Sequence, residues 1–272
     1  MSDKYSELGG LLSGITSGRV VRHIFCGMMG VNGVGKTTWA AQAPEPIFID
    51  FESGSEQLNV SRLPKPRTLQ EFRNLINGLL NQEHPFKTLV IDPLDHLEAL
   101  IWKHVCSEDL LKPRSIELAF GGYGKGYVRA LELWRGILAE LECLVTKMHV
   151  VLIANSAIKR FDDPKLPTAY DRYVLQLNSL AAGAVRQAVD ALLFACFDEK
   201  VREISKTSGK GIGEGSRVVY CEHRPAFDAK NRFNLPYAMP LDWRVFAEAV
   251  KSFYFGKEET VVEPQSPQSS ND

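Results

Sequence analysis

Gly30-Val31-Asn32-Gly33-Val34-Gly35-Lys36-Thr37-Thr38 is the stretch around which the rest of the chain is read. It fits G-x-x-x-x-G-K-[ST], the pattern of a loop that binds phosphate. Glycine tolerates the backbone angles that turn successive N–H groups inward toward an anion. A helix following the loop adds its own unpaired N–H groups and the positive end of its dipole. In such a loop Lys36 reaches the β- and γ-phosphates as a point charge, and the Thr37 hydroxyl ligates Mg²⁺. The flanks agree: Arg19–Gly27 reads as a strand leading in and Thr38–Gln42 as a helix leading out. ATP with Mg²⁺ is the expected ligand pair.

Outward from the loop, apolar strands alternate with helices. Pro44-Glu45-Pro46 stops the first helix, and Ile47–Phe51 is a short strand running into Asp50 and Glu52. Thr68 caps a helix over Leu69–Asn81, with Phe72, Leu75, Ile76 and Leu79 at helical spacing. Phe86–Asp92 is a strand ending in aspartate, followed by a helix over Asp95–Val105. Leu111–Tyr127 is too glycine-rich for a regular element; Val128–Lys147 reads as a long helix and His149–Asn155 as a buried strand. Ser156–Tyr173 reads as a long charged loop, Leu175–Val189 as a helix and Ala191–Cys196 as a strand. Glu199–Ser216, with four spaced glycines, reads as a mobile polar stretch. A late β-hairpin is expected between Arg217–Glu222 and Ala226–Lys230, then a closing helix over Leu241–Phe253. The alternation predicts an α/β fold with a mostly parallel sheet covered on both faces. Residues 1–17 form an expected lead-in, 18–256 a single domain, and 257–272 a disordered acidic and polar tail.

Composition narrows the field. Hydrophobic content of 44% and aromatic content of 10% suffice for a packed core. A net charge of −1 means that any nucleic-acid surface must be local. The five cysteines are scattered without a C-x-x-C pair, as expected of reduced buried thiols. No apolar run reaches membrane-spanning length, so a cytoplasmic protein is expected.

Four acids compete for the chemistry. Asp92 ends a strand after the loop, as expected of a carboxylate that holds Mg²⁺ beside Thr37; Asp95 suits a helix first turn better. Hydrolysis also needs a group that orients or deprotonates water. Glu52 and Asp50 both lie at the carboxyl edge of the sheet and, two residues apart on an extended chain, can share a face.

Phe48-Ile49-Asp50-Phe51-Glu52 resembles the F-I-D-x-E segment of RecA-type recombinases. The resemblance implies a RecA-like P-loop NTPase core in which Glu52 activates water and Asn155, ending the fourth strand, senses the γ-phosphate. Asn155-Ser156 departs from the histidine or glutamine expected there. Lys230-Asn231-Arg232 is similar to the K-x-R element of the RecA, KaiC and DnaB group. That likeness implies that Lys230 and Arg232 act on a neighbouring subunit's nucleotide, hence a homo-oligomeric filament or ring. Thr88–Glu98, Gly122–Tyr127, Ile158–Phe161 and Tyr170–Tyr173 together resemble phage RecA-like ATPases, including the Sak-type single-strand annealing proteins. By that likeness two loops meet single-stranded DNA, one through Tyr123, Lys125 and Tyr127, the other through Lys159, Arg160 and Arg172. The implied function is ATP-dependent annealing or recombination of single-stranded DNA in a bacterial host, alongside phage or host replication and recombination proteins. A helicase or helicase loader, or a KaiC-like switch acting on a protein through Glu199–Ser216, are the alternatives.

Overall fold

The computed structural model describes residues 15–165, 167–205 and 208–256, and of 199–205 and 208–214 the backbone alone. The expected tail at 257–272 and most of the expected lead-in lie outside the described residues.

The strand before the phosphate-binding loop, β1 (Phe25–Gly30), sits at the centre of the sheet. After α1 (Lys36–Ala40) the chain forms β2 (Pro46–Asp50), β3 (Ser61–Arg62), α2 (Leu69–Asn81), β4 (Thr88–Asp92) and α3 (Leu94–Glu108). A 3-10 segment at Ile116–Gly121 precedes α4 (Lys125–Leu144), β5 (His149–Phe161), β6 (Tyr170–Leu175) and α5 (Ser179–Ala188). Then come β7 (Ala191–Ser205), β8 (Ser208–Tyr220), β9 (Lys230–Asn231), β10 (Ala238–Pro240) and α6 (Trp243–Phe255). The order across the sheet is β10-β8-β7-β1-β5-β4-β2-β3, with β6 paired to β5 and β9 to β7. From β7 to β3 every neighbour is parallel; β8, β10, β6 and β9 pair antiparallel.

Near-continuous apolar strands are what a sheet buried on both faces requires, and the period of two sorts their side chains between two cores. Phe25, Ile49, Ile91 and Leu152 face α2, α3, α4 and α5. Cys26, Phe48, Val90 and Ile153 face α1 and α6, where Trp39 packs edge-on against Trp243 with ring centres 4.8 Å apart. The α2 boundaries are as the spacing predicts, because Thr68 Oγ1 accepts from the Glu71 N–H at 3.1 Å.

Several polar stretches fold differently from their sequence reading. Ser156–Tyr173 is not a loop: β5 continues to Phe161 and returns as β6. Cross-strand packing of Phe161 on Tyr170, and of the Arg172 guanidinium over Phe161 at 4.5 Å, holds the arm despite its charge. Glu199–Ser216 likewise continues β7 and β8 as an antiparallel hairpin; its glycines recur at every second position, which is strand spacing. The hairpin expected around Arg224-Pro225 does not form as such. Strand β8 already takes its hydrogen bonds from β7 and β10, so Lys230–Asn231 pairs with β7 instead. The α5 helix starts at Ser179 because Asn178 caps it, accepting from Leu180 N–H at 3.0 Å. The α4 helix begins at Lys125, three residues before the expected start.

Candidate active site

Register brings the chemistry to one edge of the sheet. Gly30 ends β1 beside Asn155 on β5, and Asp50 ends β2 beside Asp92 on β4. Gly30 must be glycine: a Cβ there would sit 2.3 Å from the Ala195 carbonyl oxygen on β7. The loop then turns through Gly33 (φ 76°) and Gly35 (φ 101°), left-handed angles that L side chains resist.

Lys36 is 8% exposed, and its ammonium donates to the Gly30 and Val31 carbonyls at 3.0 and 3.2 Å and to Asn155 Oδ1 at 3.2 Å. Burial lowers its pKa, and the nearby carboxylates of Asp92, Asp95 and Glu52 oppose the shift. Thr37 Oγ1 donates to Asp92 Oδ2 at 2.6 Å. Burial pushes the Asp92 carboxyl up to about 6; the Thr37 hydrogen bond and Lys36 oppose this, while Asp50 and Glu52 add to it. A hydroxyl and a buried carboxylate this close are the hard oxygen donors that suit Mg²⁺, so the pair fits the expected metal.

The backbone after β2 places Asp50 and Glu52 in different surroundings. Asp50 accepts from the N–H groups of Glu52, Gly54 and Ser55 at 3.0, 3.2 and 2.8 Å and from the Ser55 hydroxyl at 2.5 Å. Burial alone would raise its pKa, but these hydrogen bonds outweigh it and hold the carboxyl below its ordinary value. With its lone pairs committed, Asp50 staples the loop and is not placed to take a proton. Glu52 instead reaches outward, about half exposed, with Oε1 3.3 Å from His96 Nδ1. The His96 ring stacks over Phe51 with centres 6.3 Å apart.

Asp95 has a role that its place in a helix first turn does not reveal. Its Oδ2 accepts from Asn155 Nδ2 at 3.0 Å, so Asn155 is oriented from both ends by Lys36 and Asp95. Ligand atoms of Glu52, Asp95 and His96 lie within 4.8 Å of one another, though exposed acids gather this way without an ion.

The expected partner-facing and DNA-facing residues divide. Lys230 and Arg232 flank the start of β7, where Asn231 is level with Ala191 and hence with Cys26. Four strand residues, roughly 13 Å, separate that level from Gly30, so neither cation reaches its own chain's loop. Lys230 donates to the Arg186 and Gln187 carbonyls at 2.8 Å each, and Arg232 pairs with buried Asp190 at 3.3 Å. Tyr123 is fully exposed and Lys125 exposed. Tyr127 is half-buried against Trp102, with ring centres 5.8 Å apart, and so is not a free stacking platform. Arg160 is exposed but lies opposite Asp171, while the Lys159 ammonium donates to the Leu177 carbonyl at 3.4 Å. Arg172 corrects its sequence reading. It is 8% exposed and donates to the Pro225 carbonyl at 3.1 Å and to His223 Nε2 at 2.5 Å, because β6 folds back on the 223–228 segment.

Sequence spacing also missed Arg217. Its Nη1 lies 2.7 Å from where a Gly35 Cβ would be, a contact set by strand register across β7 and β8 that no local motif signals.

A family model described as an AAA domain matches residues 23–233, a span that contains every residue named above in the site. No curated protein matches the chain. Among the described residues, no helix is long and apolar enough to cross a membrane.

Proposed function

The chain belongs to the AAA-domain family, an ATPase-type domain, and we propose that it is a RecA-like, MgATP-hydrolysing oligomer that binds single-stranded DNA and promotes its annealing or recombination. The observation that carries the ATPase half is the convergence of Lys36, Thr37, Asp92, Asn155 and Glu52 at the carboxyl ends of β1, β2, β4 and β5. Lys36 and the loop N–H groups hold the phosphates. Mg²⁺, when bound at Thr37 and Asp92, would neutralise phosphate charge and orient the chain for in-line attack. Glu52 takes the proton of the attacking water, and His96 holds the Glu52 side chain at the mouth of the site until substrate arrives.

Support for the DNA half is the arm itself. Strand β5 runs without a break from Asn155, under the phosphate site, to Arg160 at the tip. Phosphate oxygens compete with Asn155 Oδ1 for the Lys36 ammonium. A change there alters how Asn155 is held and so how the arm is presented. Tyr123, Lys125, Lys159 and Arg160 offer rings and cations to a single strand. Arg172 is instead an internal strut for the arm. Lys230 and Arg232 serve a neighbouring subunit's nucleotide, since they cannot serve their own.

Steady-state ATPase with and without a single-stranded oligonucleotide, at two salt concentrations, tests the proposal. DNA-stimulated turnover and salt-sensitive binding with a non-hydrolysable ATP analogue are expected. ATPase activity indifferent to DNA, with no salt-sensitive binding, would leave the ATPase and remove the recombination reading.

A further inference from the structure

Gly35 is the residue immediately before Lys36, and the Arg217 guanidinium lies directly against its backbone. A Cβ at Gly35 would be 2.7 Å from Arg217 Nη1 and 3.7 Å from Cζ, with Leu241 Cδ2 at 3.5 Å on the same side. Arg217 is on β8, opposite Phe197 of β7, and is itself exposed. None of the ion pairs among the described residues involves it. Two cations therefore flank one loop: the Lys36 ammonium and a guanidinium that makes no ion pair among the described residues. Like charge gathers in this way at a loss unless an anion is to be held between them.

Sheet order says which part of the anion Arg217 meets. Across the sheet the sequence runs β8-β7-β1-β5-β4-β2. Asn155, Asp92 and Glu52 lie on the β5, β4 and β2 side of β1, so the terminal phosphate and the water lie on that side. Arg217 approaches from the opposite flank. We infer that Arg217 clamps, within its own subunit, the α- and β-phosphates of a bound nucleoside di- or triphosphate. Its planar fork can meet oxygens on two adjacent phosphates with two parallel N–H groups, a geometry that the point charge of a lysine does not match. The role differs from that of Lys230 and Arg232, which lie at the other end of β7. It also differs from that of Glu52, which acts where the bond breaks. The inference rests on the nucleotide-binding reading of Gly30–Thr38.

The test is the affinity of MgADP and MgATP, measured by displacement of a fluorescent nucleotide, for wild type, Arg217→Ala, Arg217→Gln, Arg217→Lys and Lys36→Ala, with kcat and KM for each active protein. Circular dichroism checks the fold, and the alanine and glutamine variants serve for each other if one folds poorly. Removal of a charged hydrogen-bond donor predicts about tenfold or greater weakening of ADP and ATP alike. KM should rise in step while kcat stays within about twofold, because binding of ground and transition state is lost equally. Arg217→Lys should recover only part of the affinity. Unchanged ADP affinity in Arg217→Ala and Arg217→Gln, with Lys36→Ala impaired, overturns the clamp and leaves the nucleotide site standing. A fall in kcat with KM unchanged overturns the α/β assignment in favour of a transition-state role. If Lys36→Ala also binds as wild type does, the nucleotide site itself is wrong.

Discussion

Asp92 is a carboxylate kept in a place that disfavours its charge, and Asp92→Asn exposes what that costs. Burial raises its pKa from 3.8 to about 6 in the folded chain. Between those values the folded state binds the extra proton and the unfolded state does not, so the Asp92 contribution to stability falls as pH rises. It is fully present below pH 3.8 and lost once pH passes about 6. A shift of roughly two units corresponds to about 3 kcal/mol at most. Asparagine keeps an oxygen that can accept from Thr37 but carries no charge to desolvate. In urea unfolding with chelator present, Asp92→Asn should therefore be about 1–3 kcal/mol more stable than wild type at pH 8. The difference should fall to about half near pH 5 and approach zero only below pH 3.8. The same variant should lose Mg²⁺-dependent nucleotide turnover. Equal stability of the two proteins at pH 8, or a difference independent of pH, would refute the claim that Asp92 is held charged against its environment.

Four further outcomes follow from other contacts. Glu52→Gln should bind ATP normally but turn it over about 10²–10⁴-fold more slowly, whereas Asp50→Asn should lower the melting temperature by loosening the loop; near-normal turnover in Glu52→Gln would move the base elsewhere. Trp39→Ala opens a cavity beneath the phosphate-binding helix and should cost about 3–5 kcal/mol in chemical denaturation; a loss under 1 kcal/mol would contradict the close packing on Trp243 and Phe246. Arg172→Ala should increase proteolytic cleavage of the β5–β6 arm while leaving the salt dependence of DNA binding unchanged, and a shallower salt slope would return Arg172 to the DNA surface.

How far the chain could be read depended on whether a residue's role is local. Lys36, Thr37 and Asp92 announce themselves because each sits at a fixed point on a loop or strand end, and the register confirms that they meet. Asn155 entered through the resemblance alone, and the structure adds that it lies beside Gly30 and meets Lys36. Asp50 and Glu52 were not separable, since strand alternation treats them alike; only the turn-back of Gly54 and Ser55 onto Asp50 distinguishes them. Arg172 looks like a DNA contact by composition, yet its partners lie some fifty positions away and close over it. The two long hairpins were misread because polar, glycine-spaced strands resemble loops when one face has no core to bury. Arg217 depends wholly on the packing of β8 against β7 and on the approach of the P-loop to it.

Asp190 bears on the proposed assembly. This carboxylate is almost fully buried, and two arginines share its Oδ1: Arg22 at 2.6 Å from the chain entering β1, and Arg232 at 3.3 Å from beyond β9. A buried acid held by a single cation cannot release it without becoming an isolated charge, a loss of several kcal/mol. Here Arg232 can leave while Arg22 stays behind with the shorter contact. The sharing turns a structural ion pair into a detachable one, so in the proposed oligomer docking would recruit Arg232 without unfolding pressure on the strand that it leaves.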